Sequence, residues 1–279
     1  MTEPNENGWA DKSWDVVICG GGLAGLLLAR QLRRELPQFS VLVIERTSRP
    51  LPDACHKVGE SSVELASQYL ERLGLRDYLL ENQLVKLGLR FFPGGGHLPL
   101  VERTEIGPCA EPVVRSYQLD RGRFEQDLRG FIEEDGATLV EGAKVTNVDL
   151  SEDDSDHQIT FEREGKTTTV RAHWVADASG RTALLRKKLK LTRSSHHVAS
   201  AGWFRVPGRV DVNDMVPATE LEWHSRPCAA ERWRSTNHFM GPGYWAWLIP
   251  LSTGHTSVGL VIHEEIHDFN CIAGLDNVM

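Results

Sequence analysis

The chain is poor in cysteine, in long apolar runs and in positive charge, and each shortage removes a class of protein. Its five cysteines (Cys19, Cys55, Cys109, Cys228 and Cys271) are scattered, odd in number and form no Cys-x-x-Cys pair. That pattern predicts neither a disulfide framework nor a zinc site, and it suits a reducing compartment. No apolar run approaches the ~20 residues that a membrane-spanning helix needs. The N-terminal MTEPNENGWADKSWD lacks the charged-then-apolar order of a secretory signal. These absences predict a soluble, cytoplasmic protein with no membrane partner. Lys and Arg number 31 against 39 Asp and Glu, for a net charge of -8. Nucleic acid is disfavoured as a main partner, because phosphate binding calls for a basic face. The one basic run, LRKKLK at 185–190, reads as a solvated helix. What is present is 41% hydrophobic residues in a chain of 279, enough for one large domain or two ordinary ones.

Periodicity organises the chain as α/β. Residues 1–13 read as a tail. Val16–Cys19 is an unbroken apolar run, as in a buried parallel strand, and Val41–Ile44 is a second. Between them Leu23, Leu26, Leu27, Leu32 and Leu36 recur at helical spacing, completing a βαβ unit. Residues 61–73 predict a helix, with Ser61 and Glu64 as a capping box and Val63, Ala66, Tyr69, Leu70 and Leu73 as its apolar stripe. Strands are expected at 87–92 and 98–101, joined by PGGGH. Phe124, Leu128, Phe131 and Ile132 mark another amphipathic helix, and strands crowd 138–178 around the polar SEDDSD turn. Residues 199–262 are strand-rich. Within them YWAWLIP (244–250) alternates so that Trp245 and Trp247 share one strand face, opposite Tyr244, Ala246 and Leu248. Two such rings serve either a core or the wall of a cavity.

The glycine turn GGGLAG at 20–25 carries the first chemistry. Gly20, Gly22 and Gly25 form G-x-G-x-x-G between a strand and a helix. Gly20 allows the tight turn, Gly22 lets backbone approach a pyrophosphate, and Gly25 lets helix and strand pack closely. Leu23 and Ala24 open the helix, whose free N–H groups and dipole favour phosphate. Glu45 ends the second strand, where a carboxylate accepts ribose hydroxyls and disfavours a 2′-phosphate, so NAD or FAD is expected over NADP. VADASGR at 175–181 ends another strand in small residues and tilts the choice to FAD; an ordinary strand-to-turn ending stays open there. HEEIH at 263–267 matches H-E-x-x-H, but it follows directly on the strand SVGLVI, and Asn270 and Ala273 stand where an extended zinc motif needs Gly and His. No metal site is expected. His196 and His197 read as a loop pair.

Six motifs in one order resemble the flavin-dependent halogenases: GGGLAG, KVGES (57–61), VKLG (85–88), DRGRFE (120–125), DASGR (177–181) and WAWLIP (245–250). The first and fifth are shared with flavin hydroxylases and reductases; WxWxIP with the lysine is the specific part. The family's fold is an FAD-binding, Rossmann-type, hydroxylase-like βαβ domain with a β-rich second layer. The implied division is an FAD-binding domain at 14–190, with 88–116 contributing to the substrate layer, and an incomplete β-rich layer at 191–279. The implied cofactor is FAD, held by Gly20, Gly22, Leu23, Ala24, Gly25, Glu45, Arg46, Arg123, Asp177 and Gly180. FADH2 is expected from a separate flavin reductase, since no second dinucleotide fingerprint is present, with halide and O2 as co-substrates. The resemblance implies halogenation of an electron-rich aromatic ring, free or carrier-tethered, through a flavin hydroperoxide and hypohalous acid. Trp245, Trp247, Ile249 and Pro250 would wall the flavin chamber, and Lys86 would be the catalytic lysine, with Lys57 its nearest competitor. A flavin hydroxylase or reductase of the same fold, or a non-catalytic remnant, are the alternatives. Family members continue well past this length and carry a GDA segment. This sequence has no Gly-Asp dipeptide, so a chain truncated at its C-terminus is expected.

Overall fold

The apolar run at Val16–Cys19 lies inside a six-stranded sheet. The computed structural model describes residues 9, 12–52, 57, 59–268 and 270. Its strands are β1 (Ser13–Cys19), β2 (Val41–Glu45), β3 (Leu84–Lys86), β4 (Leu89–Pro93), β5 (Ser116–Gln118), β6 (Thr138–Glu141), β7 (Ala143–Asp149), β8 (His157–Arg163), β9 (Lys166–Asp177), β10 (Ala199–Pro207), β11 (Thr236–Gly241), β12 (Tyr244–Pro250) and β13 (His255–His263). The α-helices are α1 (Leu23–Glu35), α2 (Glu64–Leu70), α3 (Arg76–Asn82), α4 (Arg121–Glu134), α5 (Leu184–Lys188) and α6 (Leu221–His224). They form two compact units, Met1–Cys55 with Arg121–Ser194, and His56–Asp120 with Ser195–Met279.

The first unit holds the sheet β6-β2-β1-β9-β8-β7. β1 pairs parallel with β2 and β9, and β2 with β6, while β8 and β7 run antiparallel. This is the α/β arrangement that the periodicity predicts. Gly25, Leu26, Leu27 and Ala29 of α1 and Phe124, Leu128 and Ile132 of α4 are buried, and Arg30 of α1 pairs with Asp135 at 2.7 Å just beyond α4. A second apolar cluster joins Trp14, Val17, Cys19, Leu42, Ile44, Val140, Phe161 and Ala172. Trp9 is buried in it, which removes that residue from the expected tail; residues 1–8, 10 and 11 lie outside the described residues.

The second unit carries the sheet β10-β13-β12-β11-β4 and the two-stranded β3-β5. The expected division is corrected here: the described residues of 57–120 group with those of 195–270, not 88–116 alone. Backbone bonds make the reason plain, since Leu87 donates to Arg234 O and Thr236 to Gly88 O. The helix expected at 61–73 begins at Glu64 with Val63 as its cap residue and no side-chain cap, then passes into a π-turn at Glu71–Leu75. Ser61 instead bridges to Gln118, and Val63 and Ala66 are exposed. The strand expected at 98–101 is replaced by a 3-10 turn over Leu100–Glu102. The expectation of no disulfide is also corrected. Cys109 and Cys228, 119 positions apart, are bonded across a Cα separation of 5.3 Å, a pairing that spacing could not reveal. Among the described residues no helix is long and apolar enough to cross a membrane.

Candidate active site

The glycine turn of the first unit sits where the parallel strands end. Register places Cys19 beside Ile44 on one side and Asp177 on the other, so Glu45 and the DASGR segment flank the turn. Gly20 takes φ +118, which only glycine adopts readily, and donates to Ile44 O at 2.9 Å. A Cβ on Gly20 would overlap the Ala178 carbonyl, and one on Gly25 would overlap the Gly20 carbonyl. At Gly22, the residue capping α1, a Cβ would meet nothing within 4 Å. The fingerprint thus separates into two glycines needed by the protein's own packing and one that keeps a space open at a helix N-terminus. That space and the helix end fit a dinucleotide pyrophosphate, and the adjacent acid fits ribose hydroxyls.

Glu45 is already engaged. Its Oε2 accepts from Gly21 N at 2.6 Å and its Oε1 from Thr47 N at 2.9 Å, so it orders the turn and keeps spare lone pairs. Leu23 and Ala24 open α1, and Arg46 is exposed just past Glu45. Arg123 lies in the first turn of α4, 3.9 Å from Asp127. Asp177 accepts from Ser179 N at 3.0 Å and Leu185 N at 2.8 Å. Burial would raise its pKa, but these hydrogen bonds outweigh that and hold it below the ordinary carboxylate range. It ties the turn at Gly180 (φ +59) to the start of α5.

In the second unit the two tryptophans stand apart from one buried apolar cluster. That cluster joins Phe92, Val212, Val216, Trp223 and Leu248. Leu248 lies on the strand face opposite Trp245 and Trp247, which are only partly buried. Cross-strand partners define the tryptophan face: Trp245 is opposite Met240 and Val261, Trp247 opposite His238 and Gly259, and Ile249 opposite Ser257. Trp203 of β10 is opposite Gly259 and extends the row. The Trp247 ring lies over Gly259, where a Cβ would overlap it, and its Nε1 donates to Ser257 Oγ at 3.3 Å. Ile249 and Pro250 are buried. His238 stacks on Phe91 with centroids 5.2 Å apart.

Lys86 ends β3 and is 1% exposed. Its Nζ donates to Ser61 Oγ at 3.1 Å and to the Ser62 carbonyl. Burial pushes its pKa down, against an upward pull from Glu64. The His238 imidazole is pushed down by burial and by the Lys86 charge, against the carbonyls of Thr236 and Arg90. Lys57, by contrast, is only half-buried. Arg205 is a residue that sequence reading missed. It donates to Glu60 at 2.7 and 3.1 Å and to Asp120 at 3.2 Å, joining the VGES and DRGRF motifs. The three side chains are 6%, 4% and 0% exposed. HEEIH falls on the end of β13 and a turn, so its histidines share no helical face; His267 meets the Pro242 carbonyl at 2.7 Å. His196 and His197 lie in an exposed loop.

A parallel sheet whose strand ends hold a glycine turn, an acid and an open helix N-terminus defines a dinucleotide-binding α/β protein. The chain matches the FAD binding domain family over residues 13–255 and belongs to that family. It is 29% identical over 300 residues to flavin-dependent halogenase chlA of Dictyostelium discoideum, covering 95% of this chain and 48% of that protein. It is 26% identical to the 1H-pyrrole-2-carbonyl-(peptidyl-carrier protein) brominase of Pseudoalteromonas luteoviolacea (strain 2ta16), covering 93% of this chain and 57% of that protein. Among solved structures it resembles CmlS, a flavin-dependent halogenase, with a TM-score of 0.72 and 25% identity over 96% of this chain and 45% of that one. The chain spans about half the length of the curated relatives it matches.

Proposed function

We propose that the protein takes part in FADH2- and O2-dependent halogenation of an electron-rich aromatic ring, with Lys86 as the residue that passes on the halogen. The observation that carries this reading is a lysine buried to 1% exposure whose amine, among the described residues, donates to two neutral oxygens, a hydroxyl and a carbonyl. Burial favours the uncharged amine, a nucleophile. Its lone pair takes the halogen from hypohalous acid as the O–X bond breaks; hydroxide leaves with an amine proton as water. The N–X bond then breaks as the halogen passes to a ring carbon, and the proton that carbon loses restores the amine. When bound, reduced FAD would supply the two electrons that let O2 oxidise halide to hypohalous acid, with water as the other product. Gly20, Gly22, Leu23, Ala24, Gly25 and Glu45 would hold the nucleotide, with Arg46, Arg123, Asp177 and Gly180 around them. Trp245, Trp247, Ile249 and Pro250 would keep the organic ring away from the flavin. Relatives named as flavin-dependent halogenases and as pyrrole-carrier-protein halogenases support this chemistry and a free or carrier-tethered ring. A separate reductase would deliver FADH2. The test is product mass spectrometry with FADH2, halide and a panel of pyrroles, phenols and indoles. Lys86→Met keeps the apolar stem and should still consume FADH2 while making no halogenated ring. Halogenated product at the wild-type rate from this variant refutes the assignment.

A further inference from the structure

The Lys86 amine stands at one end of a hydrogen-bonded chain whose direction follows from the orientation of the Gln118 amide, which turns Oε1 toward Thr236. Thr236 Oγ1 donates its single proton to Gln118 Oε1 at 3.0 Å, and that oxygen can only accept. Between Ser61 Oγ and Thr236 Oγ1, 2.8 Å apart, the serine must therefore be the donor. With its one proton so committed, Ser61 can only accept from Lys86, at 3.1 Å. The second acceptor is equally fixed. Ser62 offers its carbonyl to Lys86 while its hydroxyl is held by Tyr117 N at 2.8 Å and by Ser67 Oγ at 2.9 Å. β3 and β5 set this geometry, with Lys86 opposite Ser116, Leu84 opposite Gln118, and Ser61 bridged to Gln118. Thr236 and Gln118 are 2% and 0% exposed and Ser61 is partly buried, so the far end of the chain is shielded from water.

We infer that Ser61, Thr236 and Gln118 are positioning residues that aim the lone pair of Lys86. An amine nitrogen has three positions besides its carbon. Two are held as N–H donors toward Ser61 and Ser62 whether the group is ammonium or free amine. The third is an N–H in one state and the lone pair in the other, so the nucleophilic pair appears in a single direction. Without Thr236 the Ser61 hydroxyl is free to turn and donate to the amine, which occupies the lone pair it now leaves open. This rests on the reading of Lys86 as the halogen-transferring amine, but its test does not.

The test is a 15N NMR titration of the Lys86 ζ-nitrogen in the FAD-bound protein, with halogenation rate as a second readout. Thr236→Val should move the Lys86 titration to lower pH, because a donor to the neutral amine disfavours the ammonium. Halogenation should fall about tenfold, the equivalent of one hydrogen bond near 1.4 kcal/mol. Thr236→Ser should restore both. The other titratable groups facing Lys86 are Glu64 of α2 and His238 of β11, and no variant alters them. In a Ser61→Ala background Thr236→Val should produce no further shift, since Thr236 acts only through Ser61. Thr236→Ala, which adds no bulk, replaces the valine variant if that fails to fold. An unchanged titration in Thr236→Val, or an equal shift in the Ser61→Ala background, overturns the inference. A shifted titration with no halogenation by the unmutated protein upholds the chain and rejects the proposed function instead.

Discussion

Gly259→Ala tests whether the tryptophan face is a built surface. Gly259 sits inside β13 opposite Trp247 and does not take a left-handed backbone, so alanine is compatible with its φ and ψ. Its added methyl would overlap the six-membered ring of Trp247. Either the ring tilts away, losing its bond to Ser257, or the strands part. Forcing a methyl into a filled space costs about 1–3 kcal/mol. Alanine's smaller freedom in the unfolded chain returns about 0.4–1 kcal/mol. The expected net loss is about 1–2 kcal/mol in urea unfolding, together with a changed near-ultraviolet signal from the moved indole. Under the proposed function, more peroxide should escape per FADH2 consumed, because the wall is breached without deleting a tryptophan. If stability stays within about 0.5 kcal/mol, and the near-ultraviolet spectrum and the peroxide yield are unchanged, the ring does not rest on position 259 and the argument fails.

Gly22→Val should leave the FAD-free protein as stable as the wild type while weakening FAD binding, whereas Gly25→Ala should destabilise even the FAD-free protein; urea unfolding with FAD titration separates them. Arg205→Ala strands Glu60 and Asp120 as buried carboxylates and should cost about 3–5 kcal/mol by urea unfolding; a loss below about 1 kcal/mol refutes the triad's role. Lys86 binds fewer protons when folded than when unfolded between its lowered pKa and 10.5, so the wild type should gain stability on Lys86→Met as pH rises through that window. A stability difference that stays flat from neutral pH to 10.5 rejects the buried amine.

The parts legible in the sequence are those written locally. Glycine spacing, two apolar runs and Glu45 at a strand end delineate the βαβ unit, because turn, strand and helix periods act within about thirty residues. Gly259 was also readable, since a lone glycine inside the strand TSVGLV signals close approach. The capping box at Ser61 and Glu64 failed for a tertiary reason: the Ser61 hydroxyl bonds Lys86 and Thr236 instead of a helix amide. β3 escaped notice because three residues, Leu-Val-Lys, carry no measurable alternation. Arg205 meets Glu60 from 145 positions away and Asp120 from 85, and Cys109 bonds Cys228 from 119 away; no pattern within one segment encodes such pairings.

The Cys109–Cys228 bond has a topological consequence. The segment Arg121–Ser194, which returns the chain to the first unit, lies wholly between the two bonded cysteines. The chain therefore leaves the second unit and re-enters it inside a closed covalent ring. A protease that cuts once within that ring, for example at the exposed SEDDSD turn between β7 and β8, opens the ring without releasing either piece. The nicked protein should migrate as one species on a non-reducing denaturing gel and as two once thiol is added.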